Sequence, residues 1–327
     1  MRCYMNKVKL IWIYPDRCTR EQNSKEFSHV WDIYANVAKN LNVTLSVVSP
    51  DDIDFGCDLK TYVKGQLVSP IDTIFVTSMW TLPYQQQDVT NMIFIYKNLE
   101  QIGFYLPIPP ETSIMTTDKY ATNQFFHKLG LPILPTARIN ASRNFTQGNY
   151  LSALPKEVPF PWIVKPAYWG MGLGVGKVNS LEEFRSVLGL ASGSGNALIV
   201  QQFGGEACDD YRVYIVDKQV IGVLKRMPQK GAVTANLSTG GKMDFVQLPH
   251  ELEGYVETII ENLNVPYFGA DFLHTEQGFV LSEIEPDAAI GFPNSESVSR
   301  LHREMITTRI LSYLHHHEFW ISSNNII

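Results

Sequence analysis

Val164 to Val178 reads VKPAYWGMGLGVGKV, and the placement of its glycines decides which nucleotide fold the chain can have. Glycines stand at 170, 172, 174 and 176, with Lys165 before them and Lys177 after. A turn of this kind lets backbone N–H groups approach a phosphate, and several unrelated sites use that device. A Walker-type loop, Gly-x4-Gly-Lys-Ser/Thr, fails here: in the register ending at Gly176-Lys177 its first glycine falls on Met171 and its hydroxyl on Val178. The dinucleotide fingerprint G-x-G-x-x-G fails too, because from Gly170 or Gly172 the sixth position is Val175 or Lys177. Both designs require the loop to open a helix. In this chain LGVGKV alternates like a strand, and a helix start is marked only later, by the S-x-x-E box of Ser180 and Glu183. The stretch predicts two strands joined by a glycine turn, a flap that can close over phosphates.

The rest of the chain is compatible with a small-molecule site. Its 327 residues, 45% hydrophobic, suffice for two or three packed subdomains. Apolar runs such as KLIWIY are strand-sized, far short of the ~20 residues of a membrane span, so no membrane association is expected. MRCYMNKVKLIWIY lacks a small-residue cleavage site and reads as a first strand. Cys3, Cys18, Cys57 and Cys208 form no C-x-x-C pair, which predicts neither a disulfide framework nor zinc and makes a reducing cytoplasm the expected compartment. A formal charge of −6 without a basic stripe argues against nucleic acid.

Between residues 7 and 110, KLIWIY, FSHVWDIYANVAKNL, VTLSVV, DTIFVT and DVTNMIFIYKNLEQIG alternate strand and helix patterns, the order of an α/β domain with a parallel sheet. The proline-rich YLPIPPET marks a boundary. DKYATNQFFHKLG reads as a helix ending at Gly130, and 139–161 as a polar surface connection. Downstream, ALIVQQF, DYRVYIV, QVIGVLKR and the hairpin YFGADFLHTEQGFVLSEIEP are strands, and a last helix, SESVSRLHREMITTRILSYL, runs into His315, His316 and His317 at an expected solvated end.

Three groups of residues point to chemistry. Lys165, before the glycine turn, and Lys119, at a helix start, can neutralise different parts of one polyphosphate. The strand end at Gln202 and Phe203, followed by GGEACDDYR, suits a hinge offering backbone groups to adenine, with Asp210 the first candidate for the ribose and Glu206 and Asp209 its rivals. In the hairpin a three-residue turn Glu276-Gln277-Gly278 would set Thr275 opposite Phe279 and Asp271 opposite Glu283; the strand period of two then puts Glu285 beside Glu283. Three converging carboxylates suit Mg²⁺ held together with phosphates.

The order of these parts resembles the ATP-grasp superfamily. Within it, LKRMPQKGAVTANLSTGGKM is similar to prokaryotic glutathione synthetases at Arg226, Pro228, Gln229, Gly231, Asn236, Leu237, Gly240 and Gly241, and ribosomal-protein glutamate ligases carry a related segment. The resemblance implies an ATP-grasp fold of α/β class: an N-terminal parallel-sheet domain over 1–112, a small subdomain with the flap over 113–198, and an α+β C-terminal subdomain with the carboxylates over 199–327. It implies Lys119, Lys165 and the flap glycines Gly170, Gly172 and Gly174 on ATP, Asp271, Glu283 and Glu285 on Mg²⁺ (or Mn²⁺), and Arg226, Arg212 and Asn236 near the transferred phosphate. Glu285 stands where the family's E-x-N motif has asparagine. PDAAIGFPNSES replaces the Ser/Thr-containing loop that follows it in glutathione synthetases, so the acceptor is expected to differ. The implied reaction is ADP-forming ligation of a small carboxylate and an amine, amino acids or short peptides; a small-molecule kinase and a non-catalytic nucleotide-binding module remain alternatives, and a homo-oligomer is compatible with the sequence.

Overall fold

A computed structural model describes residues 7–14, 28–77, 79, 86–140, 150–170, 172–192, 196–206, 208–229, 242–291 and 296–324. The KLIWI strand β1 (Lys9–Ile13) lies centrally between β2 (Thr44–Val48) and β6 (Thr73–Thr77) in a parallel sheet of order β2-β1-β6. Both faces of β1 and β6 are buried, which is why they read as unbroken apolar runs. One face is covered by α1 (Ser28–Asn40), through Val30, Tyr34 and Val37, and the other by α2 (Gln86–Ile102), through Met92, Ile95, Tyr96 and Leu99.

An antiparallel meander that the sequence reading did not anticipate sits between β2 and β6: β3 (Ile53–Phe55), β4 (Thr61–Val63) and β5 (Gln66–Val68). Its tight turn at Lys64-Gly65 has positive φ at both residues, 51° and 74°, as a two-residue hairpin turn requires.

Helices α3 (Pro110–Thr117) and α4 (Lys119–Lys128) follow the proline-rich segment. Asp118 separates them: its Oδ1 accepts from the backbone N–H groups of Tyr120 and Ala121 and caps α4, while Oδ2 accepts from Arg138 Nε at 2.9 Å. Gly130, with φ 81°, ends the helix as expected.

The flap is a hairpin. Strand β8 (Trp162–Pro166) pairs antiparallel with β9 (Gly176–Val178) in a four-stranded sheet, β7-β10-β8-β9, that also contains β7 (Thr136–Asn140) and β10 (Ala197–Gln202). The stretch expected to be a surface connection holds α5 (Tyr150–Glu157), whose Leu151 and Leu154 pack under this sheet beside α6 (Leu181–Ala191). Ser180 Oγ accepts from Glu183 N, and the Glu183 carboxylate reaches Asn179 N.

The last sheet has five antiparallel strands in the order β13-β12-β11-β14-β15: β11 (Asp209–Val216), β12 (Gln219–Met227), β13 (Lys242–Val246), β14 (Tyr267–Thr275) and β15 (Gly278–Glu285). Here too the sequence reading needs correction. Thr275 pairs with Gly278, not Phe279, so the turn has two residues, Glu276 and Gln277. A register shift between Asp271 and Phe272 absorbs the difference, and Asp271 still faces Glu283. On one face of this sheet Val213, Ile215, Phe268, Ala270 and Phe272 pack against α4 and α7 (Glu253–Asn262), a helix the strand-dominated expectation omitted. On the other, Tyr214, Val216, Leu224 and Tyr267 pack against α8 (Glu296–Ser323), which also touches α1 and β1.

Helix α8 runs past the three histidines; His315 is exposed, as a solvated end would have it, but His317 is not. His317 is buried and engages the Pro70 carbonyl, while His316 pairs with Asp217. No described helix is long and apolar enough to cross a membrane. Of the cysteines, Cys57 and Cys208 fall among the described residues and are free thiols.

Replacing Asp118 with Ala removes a cap worth about 1 kcal/mol and an ion pair besides, so Asp118→Ala should lower unfolding stability in urea by roughly that amount or somewhat more. Asp118→Asn keeps the capping oxygen and should lose less. Equal losses in the two variants would mean that the cap contributes nothing.

Candidate active site

The strands of the large sheet change character halfway along one face. Tyr214, Val216, Leu224 and Tyr267 are apolar and covered by α8. Toward the other end the same strand period places Asp210, Arg212, Arg226, Asp271, Glu283 and Glu285 on that face, because residues two apart along a strand share a side.

Asp271 is held from two sides. Arg212 donates to it twice, Nε to Oδ1 and Nη2 to Oδ2, each at 2.7 Å, and Arg226 Nη2 donates to Oδ2 at 2.7 Å. Burial alone would raise its pKa, but the two guanidinium groups outweigh burial and hold it down at about 2. Arg226 also pairs with Asp210, its partner across the strands, at 2.7 Å. Asp210 is pushed up to about 6, chiefly by burial, with Arg226 acting in the opposite direction.

Lys119 and Lys165 come from the start of α4 and from β8 of the four-stranded sheet. The Lys119 ammonium donates to the Trp169 carbonyl at 2.8 Å and lies 3.2 Å from Glu283, so it ties the start of the flap to the acidic strand. Its backbone N–H bonds to the Ala167 carbonyl, just past the end of β8. Lys165 donates to Gln201 Oε1 at 3.2 Å, and Gln201 Nε2 donates in turn to Thr136 Oγ1. Burial first, and then the charge of Lys119, lower the pKa of Lys165 to about 8. Glu285 moves up to about 7, first by burial and then by the neighbouring charge of Glu283.

Gly172 and Gly174 have φ of 72° and 70°, and a Cβ at Gly174 would come within 2.9 Å of Pro166 and Trp169 side-chain atoms. Only glycine fits there. Gly170 accepts the turn bond from Leu173 N. At the hinge, the amide groups of Gln202 and Phe203 are already bonded to the carbonyls of Pro135 and Pro161. The Lys177 ammonium lies 4.0 Å above the Phe203 ring and pairs with Glu206 at 2.7 Å.

The fold thus brings Lys119, Lys165, Arg212, Arg226, Asp210, Asp271, Glu283 and Glu285 into one region, and it changes two expectations. Asp210 faces Arg226 and not the hinge, while its rival Asp209 pairs with Lys225; Glu206 is the carboxylate at the hinge. Nor do Asp271, Glu283 and Glu285 form a ready triad: among the described residues no three metal-capable side chains are grouped, because Asp271 is turned into the two arginines. Asn236, like Gly231, Leu237, Gly240 and Gly241, lies outside the described residues. Sequence reasoning missed Gln201 and Trp169, which support the two lysines.

The donor set fits a nucleotide and a divalent ion. Buried polar atoms Asp210 Oδ1, Arg226 Nε and Trp169 Nε1 have no hydrogen-bond partner, and such atoms are costly unless something meets them. Glu283 and Glu285 offer adjacent oxygen ligands of the kind Mg²⁺ takes together with phosphate, and Asp271 Oδ1, which accepts from Arg212 alone, retains a lone pair, whereas Oδ2 accepts from both arginines.

Residues 116–310 match the model of the RimK-like ATP-grasp domain. Among curated proteins the chain is 26% identical over 198 residues to a coenzyme gamma-F420-2:alpha-L-glutamate ligase of Methanococcus maripaludis, covering 58% of this chain and 65% of that protein. It is 28% identical over 192 residues to a probable alpha-L-glutamate ligase of Xanthomonas oryzae pv. oryzae, covering 58% and 63%. The match therefore spans just under two thirds of the length of these relatives. Among solved structures, D-alanyl-alanine synthetase A from Vibrio cholerae aligns with a TM-score of 0.66 at 14% identity, over 95% of this chain and all of that one. A RimK domain ATP-grasp protein from Sphaerobacter thermophilus aligns with a TM-score of 0.60, also at 14% identity, over 93% of this chain and all of that one. At such identity these two likenesses establish the fold. With the flap, the paired lysines and the acidic strand in one ATP-grasp fold, and a family match over more than half its length, this chain belongs to the RimK-like ATP-grasp family.

Proposed function

We propose that the protein is an ATP-dependent carboxylate–amine ligase that joins a small carboxylic acid to an amino acid or short peptide, releasing ADP and phosphate. The observation that carries this reading is the mixed charge of the sheet face, where two lysines and two arginines stand against an acidic strand. Cations serve a polyphosphate and a substrate carboxylate, while the acids serve a divalent ion. The names of the curated relatives support an amino acid, glutamate included, as the amine. The organisation we propose is an N-terminal domain over 1–112, a flap subdomain over 113–198 and a carboxylate-bearing subdomain over 199–327.

Lys119 and Lys165 would draw charge from the phosphates under the flap, and Glu206 would take the ribose in place of Asp210. Mg²⁺, or Mn²⁺, held by Glu283 and Glu285 with Asp271 flanking, would supply Lewis-acid charge at the β- and γ-phosphates. The substrate carboxylate oxygen attacks the γ-phosphorus, the bond to the β,γ-bridging oxygen breaks, and ADP leaves. The amine nitrogen then attacks the acyl carbon, the bond to the phosphate oxygen breaks, and the amine loses its proton as inorganic phosphate departs. Arg226 and Arg212, fixed by Asp271, face the charge that builds on the acyl phosphate. Exclusion of water under the flap would protect that intermediate from hydrolysis.

The purified chain with Mg-ATP should release ADP in the presence of one carboxylate and one amine from a panel of amino acids and short peptides, with a product lighter by one water than the two together. Hydroxylamine in place of the amine should yield a hydroxamate. A phosphorylated product without hydroxamate would instead identify a kinase, and ATP binding without substrate-dependent ADP a binding module.

Arg226→Ala should cut turnover by about 10²-fold or more, the usual cost of losing a donor at developing charge; intact turnover would remove Arg226 from the chemistry. The lowered pKa of Lys165 gives a further test. Below about 8 the free site already holds the proton, and above it the lysine is largely neutral. Phosphate charge favours the ammonium, so nucleotide binding above about pH 8 should take up a proton and weaken as pH rises. Calorimetry in buffers of different ionisation enthalpy reads that uptake, which should vanish in Lys165→Arg.

A further inference from the structure

The segment after β15, Pro286 to Gly291, is fixed at nearly every residue by groups from distant parts of the chain. Asp287 Oδ2 accepts from Trp12 Nε1 of β1 at 2.9 Å, and its Oδ1 accepts from Arg309 Nη2 of α8. The Tyr267 hydroxyl donates to the Ala288 carbonyl and the Tyr214 hydroxyl to the Ala289 carbonyl. Gly291, with φ 137°, packs so closely on Val30 of α1 that an added Cβ would fall 2.8 Å from Val30 Cγ2.

Arg309 is itself enclosed. Its guanidinium lies 3.7 Å from the Tyr267 ring centroid and 4.7 Å from that of Trp12, and it donates to the hydroxyls of Tyr34 and Tyr313. A buried ion pair of this sort is a poor stabiliser beside apolar residues of the same volume, since both charges lose their hydration. What it does supply is a fixed geometry.

That geometry ends on the acidic strand. The Asp287 backbone N–H donates to Glu285 Oε1 at 3.3 Å, and the Ala288 N–H donates to the Glu285 carbonyl. We propose that Asp287, locked by Arg309 and Trp12, is a positioning residue for the Glu285 carboxylate, and through it for the divalent ion. The inference rests on the assignment of Glu283 and Glu285 to that ion made above. It gives the N-terminal sheet a part in the site through Trp12 of β1. Groups that orient metal ligands typically govern affinity by 10- to 100-fold.

Trp12→Phe removes the indole donor and leaves an aromatic ring. Trp162→Phe is a matched control: Trp162 is also fully buried, and its Nε1 donates to the Val158 carbonyl in the core of the four-stranded sheet. The measurement is Mn²⁺ affinity of the full chain in the presence of ADP, followed by the electron paramagnetic resonance of free Mn²⁺. Trp12→Phe should weaken Mn²⁺ about tenfold, and Trp162→Phe should leave it unchanged even where the two lose the same thermal stability. Equal Mn²⁺ affinity in the two variants would overturn the positioning role. Failure of the wild-type chain to bind Mn²⁺ with ADP would overturn the assignment of Glu283 and Glu285 and the inference with it. If Trp12→Phe does not fold, the charge-neutral double variant Asp287→Asn, Arg309→Gln should show the same weakening, and wild-type affinity in it would equally overturn the role.

Discussion

Two guanidinium groups stand side by side in this protein because one buried carboxylate lies between them. Arg212 and Arg226 are brought to adjacent strands of the large sheet, and their charges would repel in a region of low dielectric. Asp271 accepts from both, and Asp210 takes up a further hydrogen of Arg226. The arrangement holds cations at the site without their collapse onto Glu283 and Glu285, and it leaves Arg226 Nε directed at no protein acceptor. Without Asp271, Arg212 would lose its bidentate partner and Arg226 would keep only Asp210, leaving buried positive charge undercompensated.

The same sheet solves a second problem by dividing each strand in half. A face that was charged throughout could not be covered, and one that was apolar throughout could do no chemistry. Along β11 the even-numbered residues run Asp210, Arg212, Tyr214, Val216, and along β14 the odd-numbered ones run from Tyr267 through Gly269 to Asp271. Helix α8 covers the apolar half. Gly269 lies at the transition, where a Cβ would fall 2.7 Å from that of Ala288, so the segment after β15 can press against the sheet. The chain's own backbone closes the gap between core and site.

Much of this was legible in the sequence because it depends on short periods and local turn chemistry. The flap hairpin, the helix ending at Gly130, the parallel N-terminal order and the pairing of Asp271 with Glu283 all belong to that class. The pairing survived an error of one residue at the turn, since a register shift near Asp271 compensates for it, and no strand periodicity announces a bulge. Residues whose roles depend on distant partners were not legible. Asp210 looks like a hinge residue until Arg226 is placed across from it. Arg309 did leave a trace: it interrupts an apolar stripe with Ile306, Ile310 and Tyr313 around it, the position of a core residue and not of a surface charge. Lys64-Gly65 in the overlooked meander was an equally local turn signal.

Helix α8 has a consequence for how the chain is made. It fills the core between the first strand and the last sheet, so that Trp12 meets Asp287, and Tyr34 meets Arg309, across 275 positions of sequence. During synthesis at ~5–20 residues per second, the N-terminal sheet emerges on the order of tens of seconds before the helix that covers it. Through that interval Val8, Leu10 and Trp12 lack the cover of Met305, Ile306, Ile310 and Tyr313 of α8, and the nascent sheet presents part of an apolar face. The core around the N-terminal sheet is therefore completed only when α8, far along the chain, docks against it.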